Sequence, residues 1–366
     1  MDHLNKNIVT KNNPSSKIYN TNFASAFYFF AFLSLIVFAF SSLSNILTPI
    51  AIAILIWFLI NALANQIKRL PFMNSNFGEF ISIPLSLIII VASMLQIGSF
   101  IASSMVELSS TIAQLDDKFY GIIEKLSIST GLDLSDKFEK LFEQFSIASL
   151  INKVIAAFSS IVSNIMQILL YVLFLLLDQR FFNAKINALF PNYENRAKAK
   201  EVLSSVSKTI RMYISITTII SLSTGFLTYL ICEFFSLQGA VLWGFLAFIL
   251  NFIPSIGSII AVIIPTMFAL IQFAELSEVI FFLISLTAIQ FIIGNVIYPK
   301  LMGNKLNISQ FVVILSLVMW GAMWGTVGMF LSVPLMMILL IILSQFENTK
   351  GMAILISGDG KIYSNT

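Results

Sequence analysis

Long apolar runs separated by short polar segments make up most of the chain from Phe23 onward. A hydrocarbon core about 30 Å thick needs roughly 20 apolar residues in a helix. By that measure Phe23–Leu43, Ile46–Ala64, Phe80–Ile101, Phe158–Leu177, Met212–Phe234 and Val279–Tyr298 each read as one membrane span. The first two are expected to join in a tight turn around Asn45–Pro49. Leu237–Phe273 and Ser309–Leu343 do not fit: each holds about 35 residues and would reach about 50 Å as one straight helix. Each is interrupted near its middle, the first by Asn251-Phe-Ile-Pro254-Ser255-Ile-Gly257 and the second by Trp320-Gly-Ala-Met-Trp-Gly325-Thr-Val-Gly328. Proline removes a backbone donor and glycine loosens a helix, so both interruptions are predicted to turn or unwind.

Residues 102–157 carry a different pattern. Leu108, Ile112, Leu115, Phe119, Ile122 and Leu126 recur with the three- and four-residue spacing of an amphipathic helix. Ser127–Asp133, with Gly131, breaks it, and Phe138, Leu141, Phe142 and Phe145 mark a second such helix. This predicts a helical hairpin outside the membrane. Its apolar stripe either docks on a neighbour or the bilayer surface, or packs the hairpin on itself.

Charge placement orients the spans. Lys6, Lys11 and Lys17 precede the first span, and Lys68 and Arg69 follow the second. Asp178–Arg211 holds seven basic residues against three acids. With alternating spans these three segments share one side, the cytoplasmic one. Ala102–Lys153, with eight acids against five lysines, falls on the other. The same parity makes Leu237–Phe273 leave and return on the outer side, as a re-entrant hairpin or a pair of short spans. Ser309–Leu343 is its counterpart from the inside. The expected layout is a cytoplasmic tail over 1–22, three helices over 23–101, extracytoplasmic helices over 102–157, a transport core over 158–344 containing the basic segment 178–211, and a C-terminal tail over 345–366.

Composition agrees: 58% of the 366 residues are hydrophobic and 11% charged, where a soluble domain carries about a quarter charged residues. The fold class expected is an all-α polytopic membrane protein of about eight membrane segments, two of them Gly/Pro-broken hairpins. Phe23–Leu43 is too long for a cleaved signal and lacks a small-x-small site, so it reads as a retained span. His3 and Cys232 are the only histidine and cysteine, which leaves no disulfide and no metal cluster. The sequence has no G-x-S-x-G, H-E-x-x-H or P-loop, so no enzyme activity, cofactor or direct ATP coupling is expected.

From Met212 to Leu343 the spans are nearly uncharged, with Glu233, Glu275 and Glu278 at expected interfaces. A proton-coupled transporter usually carries a buried carboxylate or histidine relay, so proton antiport is disfavoured. Neutral polar residues remain at depth: Asn251, Ser255, Thr287, Gln290 and Asn295, with Thr287, Gln290 and Gly294 on one helix face. They suit an uncharged polyhydroxylated solute, or else only bind helices to one another. Asp178 reads as an interfacial anchor with Arg180 nearby.

Several motifs are familiar. Leu177-Asp178 with Leu189-Phe190-Pro191, the Asn251–Gly257 break, Gln290…Asn295…Pro299-Lys-Leu-Met-Gly303, and Gly325-Thr-Val-Gly328-Met-Phe-Leu-Ser-Val-Pro334 occur in order, after Thr48-Pro49 and Arg69. Over nearly all of the chain after Asn22 the sequence resembles the autoinducer-2 exporter family of PerM-like permeases. That resemblance implies a bacterial inner-membrane homo-oligomer that exports a small polar signalling molecule or exchanges sodium or lithium for protons. It points to Asn251, Pro254, Ser255, Gly257, Gln290, Asn295, Pro299, Gly325, Gly328 and Pro334 as the substrate pathway. One departure stands out: the family pattern commonly has an acidic residue near Ile293-Gly294, and this chain has no charged residue between Val279 and Pro299. That weakens ion coupling here. The reading is a transporter, and more narrowly an exporter, of a small polar solute such as an autoinducer-2-like molecule. The partners expected are lipid, solute and copies of the chain, without nucleic acid. The alternatives are a monovalent cation/proton antiporter, or a scaffold binding an envelope partner through 102–153.

Overall fold

A computed structural model describes residues 15–70, 76–113, 164–273, 275–303 and 307–361. The second amphipathic helix, the Ser127–Asp133 break and Lys305 lie outside the described residues. Everything regular among the described residues is helical apart from one isolated antiparallel bridge, Ile308–Ser357. The protein is an all-α, multi-pass membrane protein. Large apolar side chains such as Phe174, Phe226, Phe281 and Phe311 are exposed, while Ser82, Ser86, Ser221 and Thr224 are buried. So many large apolar side chains on the outside are what lipid as solvent favours.

The chain divides into two compact units, residues 1–47 and 48–366. Helix α1, Ser15–Ser42, belongs to the first and exposes Phe27, Phe30, Phe32, Leu35 and Phe38. Helix α2 is Ser44–Ile67. The turn between these helices is the single residue Leu43, not the expected Asn45–Pro49. Pro49 falls in the second turn of α2, where it removes one helix bond without ending the helix.

Helix α3, Asn76–Ala113, is continuous, so the third span and the start of the amphipathic segment form one helix. Helix α4, Ile165–Asp178, passes through a 3₁₀ turn at Gln179–Phe181 into α5, Phe182–Leu189. Ala53, Ile56 and Ile60 of α2, Ile90 of α3, and Ile168 and Val172 of α4 form one buried cluster. Trp57 Nε1 adds a 2.9 Å hydrogen bond to Gln179 Oε1. Asp178 pairs with Lys185 at 2.7 Å, and Arg180 lies over the Phe181 ring instead.

Helix α6, Tyr193–Phe234, spans 42 residues, about 63 Å. The latter part of the basic segment is therefore a helical extension of span five. Asn192 caps it, its side chain accepting from the Glu194 amide at 2.9 Å, with Glu194 in the first turn where the helix dipole favours an acid. Lys198 bonds Glu194 and holds its carboxyl below the usual range.

Two short helices follow, α7 (Ala240–Leu250) and α8 (Ile256–Gln272). Then come α9 (Leu276–Ile292), a π-helical segment (Ile293–Ile297), α10 (Tyr298–Met302), α11 (Gln310–Ser344) and α12 (Lys350–Ile356). By length and apolarity, 44–67, 165–189, 193–234, 276–302 and 310–344 can each cross a membrane, but the last is not one straight span. Gly325 within α11 has φ 62° and ψ −143°, far outside helical geometry.

Candidate functional site

Leu237–Phe273 folds as two helices joined by a tight turn, a hairpin. Its two ends are tied by one side chain: Gln272 Nε2 donates to the Ser236 carbonyl at 2.6 Å, and its Oε1 accepts from the Gln238 amide at 2.7 Å. Trp243 of α7 and Phe268 of α8, both almost wholly buried, pack at 5.3 Å between the arms. With 11 residues, α7 covers about 16 Å, half a bilayer core. With 17 residues, α8 covers about 26 Å.

The tip is Asn251–Ser255. Pro254 cannot continue a helix, and the Ile256 amide bonds the Pro254 carbonyl at 2.6 Å across Ser255, whose φ is 60° and ψ −54°. This is the strained form of the three-residue turn, which persists where its surroundings hold it. Gly257 then comes so close to the end of α7 that a Cβ would collide with the Leu250 carbonyl oxygen. The arm α7 meets α6 through Gly225 and Gly244, where a Cβ on Gly225 would stand 2.6 Å from the Gly244 carbonyl oxygen.

The second hairpin repeats this construction. At Gly325 the chain takes a backbone conformation open to glycine alone. A Cβ on Gly328 would collide with the Trp320 carbonyl oxygen, a pair that stays about 12 Å apart in a straight helix. Val313 of the first arm packs in one cluster with Val333, Met337 and Ile338 of the second. Its base is closed by the C-terminal segment: the Ser309 amide bonds Ile356 O at 3.0 Å. Asn307 accepts from the Gly358 and Asp359 amides and donates to Lys361 O at 2.6 Å. The segment expected as a tail thus carries α12 and clasps the hairpin.

The hairpins approach each other along α6 from opposite directions. The first has its base just beyond Phe234; Val333 and Met337 of the second pack against Ile210, Tyr213 and Ile214 at the middle of that helix. Their tips meet. Phe252 stacks on Phe330 at 4.7 Å, and Leu317 and Met329 share a cluster with Leu250 and Ile253. Asn251 Nδ2 donates to Ser221 Oγ of α6 at 3.0 Å.

Among the expected pathway residues, the structure gathers Asn251, Pro254, Ser255 and Gly257 with Gly325 and Gly328 at these tips. Pro334 is buried in the second arm of α11, where it deprives the Phe330 carbonyl of its helical donor. Gln290, Asn295 and Pro299 are not gathered there. Asn295 and Pro299 are exposed, Gln290 is half-buried, and Asn295 Nδ2 only returns to the Phe291 carbonyl at 3.2 Å. Thr287 and Gly294 are exposed too. Ile293–Ile297 is the π segment, and such bulges recur at functional sites.

Sequence reasoning missed the buried hydroxyl row of α6. Tyr213, Thr217, Ser221, Thr224 and Thr228 are each no more than 3% exposed and follow one another at four, four, three and four residues. That spacing was the available signal.

The sequence profile of the AI-2E family transporters matches residues 27–348. The AI-2 transport protein TqsA of Escherichia coli is 30% identical over 319 residues, covering 86% of this chain and 90% of that protein. A candidate transport protein of Haemophilus influenzae is 34% identical over 237 residues, 64% of this chain and 68% of its own length. A candidate transport protein of Escherichia coli, YhhT, is 26% identical over 275 residues, 74% and 77% of the two chains.

Proposed function

The chain belongs to the AI-2E transporter family, and from that premise we propose that it exports a small, uncharged polar solute through the meeting point of its two hairpins. That it is a membrane transporter follows from the family. The observation that carries the finer reading is the contact of the two tips, Phe252 on Phe330, beside Asn251 and Ser221. Irregular backbone at membrane depth is tolerated where protein covers it or it lines a cavity, and opposed broken helices are how secondary transporters build midplane sites. The E. coli relative named for AI-2 transport makes an autoinducer-2-like molecule the first solute to test. The proposal includes the bacterial cytoplasmic membrane, a cytoplasmic N-terminus and assembly with further copies of the chain.

The test is accumulation of labelled solutes in cells with and without the protein, across small polar metabolites and monovalent cations. Lower accumulation of a neutral solute in expressing cells supports export. Movement of sodium or lithium alone supports the antiport alternative, and no difference across the panel supports a scaffold.

A further inference from the structure

We propose that a groove between the C-terminal end of α6 and the first half of α9 holds an acyl chain of a phospholipid whose head carries an ammonium group, received by Glu278. The groove has a volume of about 550 Å³, within the range of small-molecule sites. Ile231 and Phe235 of α6 and Ser285 and Ile289 of α9, all half-buried, form its floor, while Phe234 and Phe281 stand exposed at its lips. The Ser285 hydroxyl donates to the Phe281 carbonyl at 2.7 Å, and Glu278 is the one charged residue of the lining. No lining residue belongs to either hairpin tip, so this site is separate from the meeting point of the hairpins and independent of what passes there.

Shape and charge together select this occupant. From Glu278 to Ile289 the α9 wall rises about 16 Å, and one leaflet of a hydrocarbon core is about 15 Å deep. The groove thus starts with a carboxylate at the interface and runs on as an apolar channel through one leaflet, which is the profile of a single lipid. A polar solute would find no partner along it. Glu233, Glu275 and Glu278 are all exposed at this end, and the sequence has no lysine or arginine between Arg211 and Lys300. An anionic head meets three like charges there, whereas an ammonium N–H donates a charge-assisted hydrogen bond to a carboxylate. A chain seated in the groove also packs on Phe235, whose ring meets Phe282 at 5.4 Å and Phe273 at 6.1 Å. These rings join the base of the first hairpin to α9, so an occupied groove steadies that base.

The test is lipid retention by the purified full chain. The protein is exchanged into detergent micelles holding equal amounts of dioleoyl phosphatidylethanolamine, phosphatidylcholine and phosphatidylglycerol, washed, and the retained lipids are quantified by mass spectrometry. Phosphatidylethanolamine is expected to exceed phosphatidylglycerol roughly two- to five-fold, the effect of one exposed ion pair. Glu278→Gln, an exposed and nearly isosteric change, is expected to bring that ratio close to one, and the exposed Glu194→Gln at the far end of α6 to leave it unchanged. Ile289→Phe, which fills the floor, is expected to lower the amount of phosphatidylethanolamine retained. Phosphatidylglycerol retained as well as or better than phosphatidylethanolamine by the parent overturns the proposal, and so does a parental ratio in Glu278→Gln. If Ile289→Phe keeps its lipid but changes the oligomeric mass, a second copy of the chain covers the groove, and the proposal is again overturned.

Discussion

The rings of Phe252 and Phe330 lie 4.7 Å apart with their planes 24° from parallel, and they belong to the tips of two hairpins that approach each other along α6 from opposite directions. This stack joins the two hairpin tips to one another. An aromatic pair contributes about 0.5–1.5 kcal/mol beyond its area burial. In a double-mutant cycle, Phe252→Ala and Phe330→Ala should couple by about that amount in the stability of the detergent-purified protein. Additive losses would mean that the rings merely adjoin.

The two breaks depend on glycine for different reasons, and substitutions should separate them. Gly257→Leu and Gly328→Leu place a side chain into a carbonyl oxygen of the opposite arm, and neither backbone can yield. Gly325→Ala meets no neighbour within 4 Å but forces an L residue to φ 62° and ψ −143°, a strain of about 1–3 kcal/mol. Gly294→Leu meets nothing within 4 Å at an ordinary φ. The expected order of membrane yield and thermal stability is Gly294→Leu near the parent, then Gly325→Ala, with Gly257→Leu and Gly328→Leu lowest. A parent-like Gly328→Leu would contradict the closed second hairpin.

Both breaks were legible because proline and glycine act on the backbone wherever they fall. Pro254 and Gly257, or Gly325 and Gly328, in an apolar run too long for one span leave few other readings. The polar face of Thr287, Gln290 and Gly294 was legible as a face, but which face of α9 is buried depends on packing. Val279, Phe282 and Leu286 are the residues that face the core there. The hydroxyl row of α6 escaped notice because serine and threonine are common in membrane helices, where they bond their own backbone. Leu43, and not Asn45–Pro49, makes the first turn because one proline costs a helix a single bond.

The bases of the hairpins are tied by single amides, Gln272 in the first and Asn307 in the second. Gln272→Leu leaves the Ser236 carbonyl and Gln238 amide to water, since Gln272 is exposed, so the loss should be about 1 kcal/mol. Asn307→Ala removes three bonds to 358–361 and should release the C-terminal segment. Proteolysis of the purified protein should then cut near 357–361 faster, with the rest of the chain unaffected. An unchanged cleavage rate would mean that Ile308, Ser309 and Ser357 suffice to hold the clasp.

The orientation is open to direct labelling. Single cysteines at Ser129 and Lys198, in a Cys232→Ser background, should react with an impermeant thiol reagent from opposite sides of the membrane, Lys198 from the cytoplasm. Cys232 is fully buried, so its replacement removes little background and tests mainly that the parent remains folded. Labelling of both from one side would overturn the charge-based orientation.

The most demanding expectation concerns Asn251. Leu has nearly the same volume, and it removes the bond from Asn251 Nδ2 to Ser221 Oγ. Ser221 is then able to turn its hydroxyl to its own helix, as Thr224 does, so the stability lost should stay near 1 kcal/mol. If the bond only fastens the hairpin, Ser221→Ala and Asn251→Leu should be equally mild and transport should survive both. If Asn251 also meets the solute, Asn251→Leu should abolish transport at parent-like membrane abundance and assembly while Ser221→Ala only weakens it. Gly257→Leu should lose both transport and abundance, because it prevents the tip from closing. Should Asn251→Leu transport like the parent, the Asn251–Ser255 turn shapes the hairpin but does not touch what passes it.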